Sequence, residues 1–343
     1  MSSLREARNI WRVMQDAQGA GHRVCLAMIT QVQGSAYRRP GAKMMMADSG
    51  QMAGTLSGGC LEGDLYMYAQ DVMKSQQATT RHYDLTEDDM WGLGIGCKGQ
   101  IDVIIEPVDV AHPFWEAYGA ALEADQPFCL GMDLPQGERF IRRGAKVTTY
   151  SGRPVGAVAE EVYGQTVVRG HMILDHLTPP ERLVVAGAGH DAKPLAALAH
   201  QAGFEVSMVD PRKMFNNPQT FPSAVEWVDT NAQDIEAGRW PNAYWAIMNH
   251  QQDRDEKALQ LALRSSPQYV GVLGPRSRTQ EMLRHIGVSG EDLARLPVFS
   301  PVGFDLGAET PEEVAISMVA EMMAVRNHCA GGHLNGRERI HQA

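Results

Sequence analysis

A short apolar strand that runs straight into G-x-G-x-x-A and then into a helix leaves a chain few folds to choose from. Residues 183–186 are such a strand, and Gly187-Ala188-Gly189-His190-Asp191-Ala192 follows it directly. In this arrangement the first glycine permits the tight turn. The second lets a phosphate reach the helix N-terminus, where free N–H groups and the helix dipole favour an anion. Asp210 ends the next apolar run, close to the spacing of about 20 residues at which an acid meets a ribose. His190 lies within the turn, where it either faces a ligand or sits exposed at the loop tip. Arg212 is placed to meet a phosphate near that ribose or to remain solvated. Further strands are predicted over 244–248 and 269–273, alternating with helical stretches. Alternation of this kind implies a parallel sheet with helices on both faces. The bland alternative is that the glycines serve packing alone.

The full chain of 343 residues exceeds one ordinary core. The fold class expected is α/β: a small N-terminal α/β domain over 1–108, a connecting region over 109–180, a Rossmann-like doubly wound domain over 181–326, and a polar tail over 327–343. Pro179-Pro180 marks the boundary. Ser3 and Glu6 form a capping box that opens a helix with Leu4, Ala7, Ile10, Trp11 and Met14 on one face. Strands are expected over 24–29 and 101–106, and a helix over 61–74. In 109–180 a helix over 114–123 and short strand candidates over 128–132 and 166–174 carry no evident chemistry. Thr310, Pro311 and Glu313 begin a closing apolar helix with a capping box.

Charge and cysteine use narrow the function classes. A formal net charge of −10 repels phosphate backbones and argues against nucleic acid as a partner. Neither a signal peptide nor an apolar run long enough to span a bilayer is visible, so no membrane is expected. The five cysteines are widely spaced and form no C-x-x-C pair, which fits a reduced, cytoplasmic setting.

Two cysteines sit in glycine-rich loops. Cys60, in Gly58-Gly59-Cys60-Leu61-Glu62, stands where a helix begins, and helix N-termini stabilise thiolate over thiol. Cys97 lies in a second glycine cluster beside Lys98, which also favours thiolate. They either share one ligand or fill gaps as small buried residues. Ser35, Arg38, Arg39 and Lys43 lie on or beside a third loop, either as an anion site or as a solvated basic turn. Tyr37 in the same loop offers a ring for stacking.

Taken in order, these motifs resemble the XdhC/CoxI family. The resemblance rests on Gly34-Ser35 with Arg38-Arg39-Pro40-Gly41-Ala42-Lys43-Met44, on Gly58-Gly59-Cys60-Leu61-Glu62, and on the glycine cluster ending in Cys97. In the second half it rests on Gly187-Ala188-Gly189-His190, Asp210-Pro211-Arg212, Gly274-Pro275-Arg276, Pro301-Val302-Gly303-Phe304-Asp305 and Thr310-Pro311-Glu312-Glu313. It implies an accessory protein without turnover of its own. Such a protein binds the molybdenum cofactor, as molybdopterin or its dinucleotide form. It supports sulfuration of the cofactor with a cysteine desulfurase, and delivery to xanthine dehydrogenase or a related molybdenum hydroxylase. On that reading Cys60 and Cys97 are the candidate molybdenum ligands, since soft thiolates suit the metal. Arg38, Arg39 and Lys43 hold the phosphate, and the Gly187 turn takes a nucleotide. Tyr37 stands where the family usually has Pro, Pro275 where Ser is common, and the stretch Asn249-His250-Gln251-Gln252-Asp253 matches only in part. A homodimer is compatible with this sequence, which marks no interface.

The competing reading is an NAD(P)-dependent oxidoreductase built on the Rossmann unit alone, because fold does not fix function. A metal enzyme would need regular ligand spacing such as H-E-x-x-H, which is missing, as are G-x-S-x-G and a Walker A loop.

Overall fold

The computed structural model describes residues 4–34, 36–85, 99–133, 138–153, 155, 166–288 and 295–336. Ser35 and Cys97 lie outside the described residues. The chain divides into two compact units, with the break between Pro179 and Pro180.

The N-terminal unit begins with α1 (Leu4–Gly19), whose Leu4, Ala7, Ile10, Trp11 and Met14 are all buried, as their spacing requires. There follow β1 (Val24–Gly34), β2 (Lys43–Ala47), β3 (Met52–Gly54), α2 (Glu62–Ser75), β4 (Thr79–Asp84) and β5 (Gly99–Val108). The strands form one antiparallel sheet in the order β3-β2-β1-β5-β4. Both faces are covered. Leu26 and Met45 join the core under α1, while Cys25, Ala27, Ile29, Met44 and Met46 pack under Leu65, Ala69 and Met73 of α2. Double burial explains why β1 and β2 read as unbroken apolar runs rather than as alternation. Cys25 serves this packing, and burial pushes its thiol up to about 12.

Residues 109–179 do more than connect. After α3 (Pro113–Glu123) come β6 (Phe128–Asp133), β7 (Glu138–Arg143), β8 (Lys146–Thr149), β9 (Thr166–Arg169) and β10 (Met172–Leu177), a second antiparallel sheet ordered β8-β7-β6-β10-β9. Phe114, Trp115 and Tyr118 of α3 share one core with α1, Phe128, Leu130 and Leu177. The two sheets are tied by two buried ion pairs, Lys43 with Asp175 and Arg139 with Glu106.

The C-terminal unit carries β11 (Arg182–Ala186), α4 (Ala192–Gln201), β12 (Glu205–Val209), β13 (Ala224–Val228), β14 (Tyr244–Ile247), α5 (Gln252–Arg264), β15 (Tyr269–Val272), α6 (Arg276–His285), β16 (Val298–Phe299) and α7 (Pro311–Arg326). All six strands are parallel, in the order β13-β12-β11-β14-β15-β16. This is the doubly wound Rossmann order, whose direction of winding reverses between β11 and β14. Leu183 and Val185 face α4 and α7, while Val184 and Ala186 face α5 and α6. The α7 capping box is present: the Thr310 hydroxyl accepts from Glu313 N–H at 3.3 Å, and the Glu313 carboxylate accepts from Thr310 N–H at 3.0 Å. Among the described residues no helix is long and apolar enough to cross a membrane.

Candidate functional site

The loop that presents Cys60 is built around one carboxylate. One oxygen of Glu62 accepts from the Thr55 hydroxyl at 2.7 Å and from the N–H groups of Leu56 and Ser57 at 3.1 and 3.0 Å. Its other oxygen accepts from the Ser57 hydroxyl and from the N–H groups of Gly59 and Leu61 at 2.9 and 3.2 Å. Burial alone would raise this carboxyl. The hydrogen bonds from Ser57, Thr55 and Leu56 outweigh it and hold the group at about 2. Glu62 therefore spends its acceptors on shaping the loop rather than on meeting a ligand. Cys60, two residues ahead of the first residue of α2, is exposed.

The basic loop lies against the thiol loop. Tyr37, 61% exposed, has its ring 3.3 Å from where a Cβ on Gly58 would stand. Gly58 and Gly59 take φ of +76° and +113°, values that exclude most side chains. The three cations of the basic loop then part ways. Arg38 donates from one nitrogen to both Glu6 oxygens at 2.8 Å, which ties the loop to α1. Lys43 is 3% exposed and paired with Asp175 of β10, and it also donates to the Gly41 carbonyl at 2.9 Å. A lysine so enclosed does not reach a ligand phosphate, so its expected role gives way to that of an anchor. Arg39 is exposed, and its guanidinium has no partner among the described residues.

Some of these roles were hidden from sequence reading. Thr55 and Ser57 look like ordinary loop residues until Glu62 gives them a common acceptor. Asp175 lies in the segment that showed no chemistry, yet it is the counter-ion that fixes Lys43.

At the second site, Gly187 has φ of +118°, and a Cβ there would stand 2.6 Å from the Met248 carbonyl oxygen. The Gly187→Ala protein is expected to lose about 2–4 kcal/mol in the C-terminal unit, read by urea unfolding. A loss below about 1 kcal/mol would mean that the turn relaxes at little cost. Asp210 is fully buried. Its carboxylate accepts from Ala188 N–H at 2.8 Å, from Arg212 N–H and Nε at 2.9 Å, and from the Arg212 terminal nitrogen at 2.6 Å. Burial raises this carboxyl, but the Arg212 and Ala188 hydrogen bonds prevail and hold it below the usual range. The expected ribose acid thus closes the turn onto β12, and Arg212 seals it. His190 is exposed at the loop tip. Its neighbour Asp191 pairs with His250 after β14, Oδ2 to Nε2 at 2.7 Å.

Comparison with known proteins gives this arrangement relatives. Residues 183–322 match the XdhC Rossmann domain, and residues 17–84 match the XdhC and CoxI family. A Bacillus subtilis protein described as a probable subunit of xanthine dehydrogenase is 30% identical over 318 residues, covering 89% of this chain and 94% of the relative. The chain belongs to the XdhC/CoxI family. The molybdenum cofactor insertion chaperone PaoD of Escherichia coli is 26% identical over 329 residues, covering 94% of this chain and 89% of PaoD. A crystal structure described as a xanthine dehydrogenase from Bacillus halodurans superimposes with a TM-score of 0.80 at 30% identity, covering 93% of this chain and 96% of that one.

The two XdhC family matches cover the basic loop, the Glu62 loop and the whole parallel sheet up to α7. Residues 85–182 fall between them, and these include the second antiparallel sheet that supplies Asp175.

Proposed function

We propose that this XdhC-family protein is an accessory protein that holds the molybdenum cofactor as cargo and passes it to a molybdenum hydroxylase of the xanthine dehydrogenase type. One observation carries the reading: the contact of Tyr37 with Gly58, which sets the exposed Arg39 loop beside the exposed Cys60 loop. The cargo is a planar pterin with a phosphate tail and a dithiolene-held metal. Arg39 offers a charged donor for the phosphate, Tyr37 a ring for the pterin plane, and Cys60 a soft sulfur for the metal. Arg38, Lys43 and Glu62 shape the two loops and stay out of contact with the cargo. The names borne by the relatives from Bacillus subtilis and Escherichia coli support this assignment. Cys97 as a second thiolate, sulfuration by a cysteine desulfurase, a cytoplasmic setting and a homodimer belong to the same reading. The oxidoreductase alternative is weakened because the acid it needs for the ribose, Asp210, is sealed by Arg212.

The test is to make the protein in a host that synthesises the cofactor. The denatured supernatant is then oxidised and chromatographed for fluorescent pterin, with molybdenum and NAD(P) measured alongside. Stoichiometric pterin is expected, falling about tenfold in Cys60→Ser and in Arg39→Ala, the loss of one good ligand contact or charge-assisted bond. NAD(P) in place of pterin would overturn the proposal, and pterin retained in both variants would remove the two loops from it.

A further inference from the structure

The closing helix α7 turns its few polar side chains inward. An amphipathic surface helix does the reverse, burying an apolar stripe and showing polar residues to water. Over 314–325 the polar residues are Ser317 and Glu321, and they are 4% and 8% exposed. The Ser317 hydroxyl donates to the Phe304 carbonyl at 2.6 Å, and the Glu321 carboxylate accepts from the Tyr269 hydroxyl and from Gly303 N–H. What faces outward is apolar. Ile316 is 51% exposed and Met323 39%, and Ala320 and Ala324 are half-buried beside them. Spacings of three and four place these four side chains on one stripe. About three turns of helix thus offer water no side chain that can hydrogen-bond. Exposed apolar residues scattered singly need no explanation, but a stripe with its polar residues withdrawn does.

The arrangement of the stripe says what covers it, because it is self-complementary about Ala320. Ile316 and Ala324 stand four residues to either side of Ala320, and Glu312 and His328 stand eight to either side. Let a second copy of α7 lie antiparallel across the first with Ala320 at the crossing. Each Ile316 then meets the partner's Ala324, a large side chain on a small one. Two alanines at the crossing let the axes approach to the short end of the range of about 8–10 Å. Glu312 is exposed in the first turn, His328 is exposed just past the last, and neither side chain has a partner among the described residues. Antiparallel pairing brings carboxylate to imidazole at both ends and opposes the two helix dipoles. Parallel pairing would instead set Glu312 against Glu312. Each copy carries a formal net charge of −10, so copies repel over most of their surface, whereas the stripe presents no charge. A contact of this isologous kind closes at two copies.

We propose that the outward face of α7 is the centre of a two-fold homodimer interface, in which α7 packs antiparallel on α7 of a second copy with Ala320 at the axis. The proposal gives an interface to the homodimer of the preceding reading. It is tested on cargo-free protein, so failure of the cargo assignment leaves it standing. Sedimentation equilibrium of the full chain is expected to show a dimer at about 50 µM. Ile316→Glu and Met323→Glu each place an unpaired charge in the contact. Each is expected to weaken the dimer about a hundredfold while the circular dichroism spectrum stays unchanged. Met214→Glu, at a residue 87% exposed on the loop after β12, is expected to leave the dimer as it is. Glu312→Lys should weaken the dimer about threefold to tenfold, and Glu312→Lys with His328→Glu should recover it. In a chain with Cys60, Cys97 and Cys329 replaced by Ser, Ala320→Cys is expected to cross-link two copies on oxidation with diamide, and Met214→Cys is not. A chain that stays monomeric to about 100 µM, a dimer indifferent to both stripe variants, or a dimer without a cross-link at position 320 would each overturn the proposal. A monomer whose binding to purified apo xanthine dehydrogenase is lost in Ile316→Glu would also overturn it, and would assign the stripe to that client.

Discussion

The Lys43→Ala protein is expected to lose about 3–5 kcal/mol of stability in the N-terminal unit, the cost of leaving a buried charge without its partner. Lys43 is 3% exposed and Asp175 fully buried, and the ammonium donates to that carboxylate and to the Gly41 carbonyl. The Thr166 hydroxyl donates to the other Asp175 oxygen at 2.7 Å, so removal of the lysine strips the carboxylate of its charged neighbour but keeps a neutral one. The consequence reaches the basic loop. Gly41 sits against Thr166 and Asp175 with no room for a Cβ, and Tyr37 and Arg39 lie just ahead of it. Loosening the pair should therefore speed amide exchange in β2 and β10 and in residues 36–42 together. Replacing both partners by apolar residues of similar volume, Lys43→Met with Asp175→Leu, should recover most of the stability. Urea unfolding with hydrogen exchange reads both results. A single variant that loses less than about 1 kcal/mol would mean that water already reaches the pair.

This ion pair also marks the limit of what the sequence reveals. The four central strands of the parallel sheet, β11, β12, β14 and β15, were legible because each reads as a compact apolar run, and the β11 turn declares itself through Gly187 and Gly189, whereas the half-buried edge strands β13 and β16 give no such run. The α1 face and the α7 cap were legible for the same reason: their signals lie within a few neighbouring residues. The second antiparallel sheet was legible only in part. The strand expected over 128–132 is β6, and the one expected over 166–174 is two strands, β9 and the start of β10. By contrast β7 and β8 are short and rich in Arg, Lys and Thr, so the period-2 pattern is faint there. Lys43 and Asp175 are 132 residues apart, and no local pattern couples them. The same blindness affected the functional residues. Spacing marks Asp210 as a ribose acid, but only the fold brings Ala188 and Arg212 onto its carboxylate. His250, read as part of an imperfect motif, acquires a partner in Asp191 only when β14 is placed beside β11.

Glu62→Gln should disorder the Cys60 loop although it hardly changes the size of the side chain. Both carboxylate oxygens are loaded with donors: Leu56 and Ser57 N–H on one, Gly59 and Leu61 N–H on the other. An amide has one acceptor end and one donor end. Whichever way the glutamine turns, its NH₂ faces two backbone N–H groups. Hydrogen bonds to a charged group are worth about 1.5–3 kcal/mol, so exchange at Ser57, Gly59 and Leu61 should speed by about tenfold to a hundredfold. Pterin retention should fall with it if the loop presents Cys60 to cargo. The pH dependence has a definite sign. The carboxyl is held at about 2, below an ordinary 4.5, so the folded loop favours the ionised form. Its contribution is complete above pH 4.5 and is lost as pH falls toward 2. The amide introduced by Glu62→Gln titrates in no such window, so the variant should show the wild type's low-pH exchange already at neutral pH. Wild-type exchange rates at these three amides that stay flat from pH 5 to about 2, after correction for intrinsic exchange, would show that the loop holds its shape without the charge.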